Sequence, residues 1–137
     1  MPDILCIEDE PDLREDLIEE LNEAGYETIE AGNGVDGLKL ILDHRPDLVL
    51  CDVNLPGISG PQLLAELKRN HPDCADIPFF FLSALAERDS SSPVADIHPD
   101  NWFLKPINYD SLLPAIEACL EERSRPEIRN DRDGGAA

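Results

Sequence analysis

Positive charge and aromatic rings are what this chain has least of. Lysine and arginine number 11 against 30 aspartates and glutamates, which leaves a formal net charge of −19. A surface this acidic repels phosphate backbones and anionic lipid, which argues against direct nucleic-acid or membrane binding by this domain. Aromatic residues make up only 5% of the chain, so leucine, isoleucine and valine are expected to fill the interior. No apolar run is long enough to span a bilayer, and the first residues carry no signal pattern. The cysteines (Cys6, Cys51, Cys74, Cys119) lack the CxxC spacing of a zinc or dithiol site. Cys6 and Cys51 fall inside apolar runs, where a free thiol serves as a small hydrophobe. Reduced thiols and the missing signal together predict a cytoplasmic protein.

What is present is enough to make a core. Hydrophobic residues reach 42% of 137, a size suited to one domain and a composition that excludes a fully disordered chain. The pattern alternates between strand and helix. "DILCIE" reads as a buried strand, and "PDLREDLIEELNEAG" follows as an amphipathic helix. Its Leu13, Leu17 and Leu21 recur every four residues and Ile18 widens the stripe. Pro11 suits the first helical turn and Gly25 the position just past the end. "YETIEA" is a weaker strand. "VDGLKLILDH" places Val35, Leu38, Ile41 and Leu42 on one helical side, and Pro46 stops it. "DLVLCD" is the third strand. Ser59 and Gln62 have capping-box spacing and open the helix "GPQLLAELKRN". "IPFFFLSA" and "NWFLK" are the fourth and fifth strands, and "YDSLLPAIEACLEER" is the last helix. Its Pro114 would kink a helix capped at Asn108 but fits the first turn of one capped at Ser111.

Five strands, each followed by a helix or a stretch able to form one, predict an α/β fold. The sheet is doubly wound and parallel, with helices on both faces. Such sheets bind ligands outside the carboxyl ends of their strands, at a topological switch point. Residues 124–137, "SRPEIRNDRDGGAA", lack apolar periodicity and read as a flexible tail or linker stub, which leaves residues 1–123 as the domain.

Chemistry collects at those strand ends. The first strand delivers Glu8 and Asp9, and the third delivers Asp52. The fourth delivers Ser83 followed by the small Ala84, and the fifth delivers Lys105 before Pro106. Two carboxylates repel by about 4 kcal/mol when ~4 Å apart at an effective dielectric of ~20. Three together need compensation, which Lys105 supplies in part and a divalent cation would complete. All-oxygen ligation favours a hard ion such as Mg²⁺ over Zn²⁺. A metal, an ammonium and a hydroxyl around a carboxylate suit phosphoryl transfer. Taken singly the same residues have plainer readings. Glu8-Asp9 before Pro11 could be an acidic helix start, Asp52 a strand-end cap, and Lys105-Pro106 a surface turn.

Taken together, these residues on successive strands make the chain resemble the receiver domain of two-component response regulators. The resemblance implies the flavodoxin-like strand order 2-1-3-4-5, which is carried over from the family. It implies that Asp52 is the phosphoacceptor, fed by the phosphohistidine of a histidine kinase or histidine phosphotransfer protein. Asp9 and Asp52 would ligate Mg²⁺ directly, Glu8 through water, and Asn54 through its backbone carbonyl. Lys105 would pair with the phosphoryl group and Ser83 would move to it after transfer, with Ala84 as its small neighbour. Trp102 stands at the aromatic switch position, where Tyr or Phe is commoner, and the Lys105–Pro106 bond would be cis. Such a domain is a signalling switch rather than an enzyme, catalysing only its own phosphorylation and dephosphorylation, and its output is a downstream effector protein or domain.

Two other readings share the residues. A pseudo-receiver would be an interaction module that is never phosphorylated. A Mg²⁺-dependent aspartyl phosphatase needs a second acid two residues after the nucleophile, where this chain has Asn54. Between Ser83 and Lys105 the family usually has its fourth helix. Here "AERDSSSPVADI" sets three serines before Pro93, and a proline in a helix interior costs about 3 kcal/mol. The fourth helix is therefore expected to be short, broken or mobile over residues 86–98.

Overall fold

The most apolar runs of the chain lie at the centre of its sheet. In the computed structural model, which describes residues 2–83 and 100–123, the central strands are β1 (Asp3–Ile7), β3 (Leu48–Asp52) and β4 (Phe79–Ser83). They are flanked by β2 (Glu27–Ala31) and β5 (Asn101–Leu104). All five pair in parallel, in the order β2-β1-β3-β4-β5. β3 and β4 are buried along their whole length, as strands covered on both faces must be, while the two edge strands carry exposed residues. This is the doubly wound α/β arrangement with the expected strand order.

Alternation along the strands divides the core in two. Leu5, Ile7, Val49, Cys51, Phe79 and Phe81 face one way, against Ile41 of α2 (Gly34–His44) and Leu63, Leu64 and Leu67 of α3 (Gly60–Asn70). Ile4, Cys6, Leu48, Leu50, Phe80 and Leu82 face the other, against Leu17 and Leu21 of α1 (Pro11–Glu23) and Leu112 and Ile116 of α4 (Tyr109–Arg123). Aliphatic side chains do fill most of this volume. The scarce aromatics are nevertheless concentrated, and Phe79, Phe80 and Phe81 are the largest fully buried side chains.

The helix ends follow local chemistry. Gly25, at φ +99°, sits in the left-handed region just beyond α1, where a side chain would be strained. Asn33 caps α2 by accepting from the Asp36 N–H at 2.8 Å. α2 closes on Arg45, itself left-handed at φ 49°, ahead of Pro46. Both bonds of the Ser59–Gln62 capping box form, at 3.2 and 2.9 Å. α4 resolves the choice left by Pro114. Asn108 is its cap, with its side chain accepting from Asp110 N–H at 2.9 Å and its carbonyl from Leu112 N–H at 3.0 Å. Pro114 therefore lies inside the helix and cannot donate to the Asp110 carbonyl. Burial of Leu112 and Ile116 on either side, and a 2.7 Å bond from Tyr109 Oη to Asp16 on α1, offset that loss.

No helix among the described residues is long and apolar enough to cross a membrane. Ala84, the expected broken helix at residues 86–98 and the tail at 124–137 lie outside the described residues.

Candidate functional site

Parallel register carries the chemical residues to one edge of the sheet. Ile7 pairs with Cys51 in the last rung between β1 and β3, so Glu8 and Asp52 come next on neighbouring strands. Asp52 is level with Leu82, and Ser83 with Leu104. Lys105 follows directly, and its N–H donates to the Ser83 carbonyl at 2.8 Å. The Lys105–Pro106 peptide is cis, as expected.

The side chains then converge. Lys105 Nζ lies 3.2 Å from Asp52 Oδ1 and 3.4 Å from Glu8 Oε1. Carboxylate oxygens of Glu8, Asp9 and Asp52 all fall within 4.8 Å of one another. Glu8 and Ser83 are fully buried and Asp52 nearly so, whereas Asp9 is exposed and leaves the group open on one side. Asn54 contributes through its N–H, which donates to Asp52 Oδ1 at 3.3 Å. Trp102 packs edge-on against Phe81, ring centroids 5.1 Å apart, and Phe81 meets Phe79 in the same manner at 5.4 Å.

Burial raises the Glu8 carboxyl from 4.5 to about 7; the Glu10 N–H opposes this, the Asp52 charge adds to it, and Lys105 opposes it. Burial also works against the Lys105 ammonium, but the charges of Asp52 and Glu8 outweigh it and hold its pKa above the ordinary value. Glu8 thus holds its proton more tightly folded than unfolded. Its contribution to stability is full below about pH 4.5 and is lost as pH rises through about 7. Metal-free protein is accordingly expected to show a higher urea midpoint at pH 5 than at pH 8, and Glu8→Gln should flatten that difference. An equally steep profile in the variant would remove Glu8 as its source.

Among the described residues the buried Ser83 Oγ has no hydrogen-bond partner, and the buried Glu8 Oε1 has only the Lys105 ammonium, 3.4 Å away. Native interiors seldom leave such atoms unsatisfied without a use for them. A hard cation completes the carboxylate oxygens, and an incoming oxyanion would accept from the hydroxyl. The donor set therefore fits Mg²⁺.

Gly60, the first residue of α3, is a site neighbour that the motifs did not flag. A Cβ there would stand 2.7 Å from the Asp52 carbonyl oxygen and 3.2 Å from Phe81 Cε1. The bare glycine lets the helix start against the strand end that carries Asp52. Its place in the capping box is visible in the sequence, but its packing partner is not.

A parallel 2-1-3-4-5 sheet with this group at its carboxyl edge is the architecture of a receiver. The pattern of the response regulator receiver domain matches residues 4–117, and the chain belongs to that family. It is 37% identical over 117 residues to the phosphate regulon transcriptional regulatory protein PhoB of Pseudomonas aeruginosa, covering 85% of this chain and 51% of PhoB. It is 31% identical over 121 residues to sporulation initiation phosphotransferase F of Bacillus subtilis, covering 88% of this chain and 95% of that protein. The chain spans about half the length of several curated relatives, PhoB among them. Among solved structures, the response regulator TrrA of Thermotoga maritima, in complex with Mg²⁺-BeF, superposes with a TM-score of 0.75 at 34% identity, covering 87% of this chain and 99% of that one. The family works in two-component signalling with histidine kinases. A receiver is a phosphoacceptor module rather than a conventional enzyme.

Proposed function

We propose that this chain is a phosphorylation-controlled switch in which Asp52 takes a phosphoryl group from the phosphohistidine of a histidine kinase or histidine phosphotransfer protein. The observation that carries the reading is the shared contact of Lys105 Nζ with Asp52 and the buried Glu8, at 3.2 and 3.4 Å. An ammonium held there offsets part of the negative charge that the acids gather and can follow the charge onto an arriving phosphoryl oxygen. An Asp52 oxygen attacks phosphorus as the P–N bond breaks, and the leaving imidazole takes the bonding electron pair and a proton. Mg²⁺, when bound, neutralises the phosphoryl oxygens. Asp9 and Asp52 would hold it directly, Glu8 through water and Asn54 through its carbonyl. The unpartnered Ser83 hydroxyl is available to donate to the acyl phosphate, with Ala84 following it. Trp102 is the aromatic partner in the switch.

A groove of about 460 Å³ supports the choice of donor. It runs from Lys105 between α1 and the turn into α4, with Leu13, Pro106 and Ile107 as its apolar lining and Glu10 and Asp16 as its acids. A helix presenting apolar and basic side chains around a histidine suits it.

Incubation with acetyl phosphate and Mg²⁺, read by intact mass, tests the proposal. One added phosphoryl group per chain is expected. An unmodified chain would instead indicate a pseudo-receiver, and continual release of phosphate with little labelling would indicate an aspartyl phosphatase.

A further inference from the structure

Arg14 is the one basic residue of α1. Its guanidinium turns back toward the acids rather than out to solvent. Nη1 donates to the main-chain carbonyl of Glu8 at 2.6 Å, and Nε to Glu30 Oε1 on β2 at 3.0 Å. The main-chain N–H of the same residue donates to the Glu10 carbonyl at 2.9 Å. Arg14 therefore holds both ends of the turn whose middle residue is Asp9.

The rest of the turn is tied as closely. Glu8 N–H donates to the Ala31 carbonyl at 3.0 Å, and Glu8 Oε2 accepts from Glu10 N–H at 3.1 Å. Gly32 leaves room for the guanidinium, since a Cβ there would lie 3.2 Å from Nη1. The arginine side chain is only 23% exposed, against 58% for Glu30. A half-buried guanidinium with one N–H on a backbone carbonyl and another on a carboxylate is fixed in both position and direction.

We infer that Arg14 is a positioning residue: acting through the Glu8 carbonyl and anchored by Glu30, it sets the Glu8–Asp9 turn in the geometry that binds the divalent cation. The inference rests on the cation reading of the acidic group. Its effect has the opposite sign to that of charge alone. Removing a positive group beside three carboxylates would by Coulomb's law strengthen cation binding. Loosening the turn weakens it, because groups that orient metal ligands typically contribute 10–100-fold in affinity.

The test uses the full chain and Mg²⁺ alone, titrated calorimetrically, with amide hydrogen exchange measured on the metal-free protein. Arg14→Gln is expected to bind Mg²⁺ roughly 10-fold more weakly. The Glu10 N–H, which is bonded to the Glu8 carboxylate, is expected to exchange faster before any metal is added. Arg14→Lys keeps the charge but not the fork, and should show the same two changes in smaller measure, including where the glutamine variant fails to fold. A folded variant with unchanged or tighter Mg²⁺ binding, or with unchanged Glu10 exchange, overturns the role of Arg14 while leaving phosphorylation of Asp52 standing. A wild-type chain that takes up no Mg²⁺ overturns the functional reading itself, and this inference with it.

Discussion

Asp52→Asn is expected to gain no phosphoryl group from acetyl phosphate and Mg²⁺ under conditions where the wild-type chain is labelled. Asn is nearly isosteric with Asp but is not a nucleophile of comparable strength, so chemistry is lost while shape is kept. The fold should survive the change. Asp52 is buried among Glu8 and Asp9, and a neutral side chain there relieves repulsion between carboxylates that Lys105 offsets only in part. The metal-free variant is therefore expected to be at least as stable to urea as the wild type, and to lose most of the stabilisation that Mg²⁺ gives, since a ligand stabilises only the state that binds it. Intact mass and urea midpoints with and without Mg²⁺ check both halves. Undiminished labelling of a folded variant would move the phosphoacceptor elsewhere.

The second large effect is structural. Phe81→Ala is expected to cost roughly 3–5 kcal/mol, as buried phenylalanine truncations do. That is a large fraction of the 5–15 kcal/mol that holds a typical domain together. Phe81 is 1% exposed, stands edge-on to both Phe79 and Trp102, and touches the space left by Gly60 beneath Asp52. Its loss opens a cavity behind the phosphoacceptor strand and takes away Trp102's aromatic neighbour. The Trp102 emission should shift to the red along with the fall in urea midpoint. Phe103→Ala, on the half-buried outer strand, should cost less. Equal costs at the two positions would overturn the reading that full burial makes Phe81 the more important of the two.

Much of this was legible from residue order. Apolar runs, the proline before α1, the glycine after it and the Ser59–Gln62 box are local signals, and the elements they announce are present. Spacing along a strand–helix repeat also placed Glu8, Asp9, Asp52, Ser83 and Lys105 at successive strand ends, because parallel strands joined by crossovers all point the same way. What local order could not decide was how the ends meet. The burial of Glu8 with Asp9 left exposed, and the reach of Lys105 across to both Asp52 and Glu8, depend on register between strands distant in sequence. Pro114 shows the same limit: the sequence left the cap open between Asn108 and Ser111, and burial of Leu112 and Ile116 favours the earlier start despite the proline. Arg14 is the plainest case. In the sequence it is one cation in an acidic helix, and only the fold brings its guanidinium to the Glu8 carbonyl, a contact fixed by how α1 lies against the ends of β1 and β2.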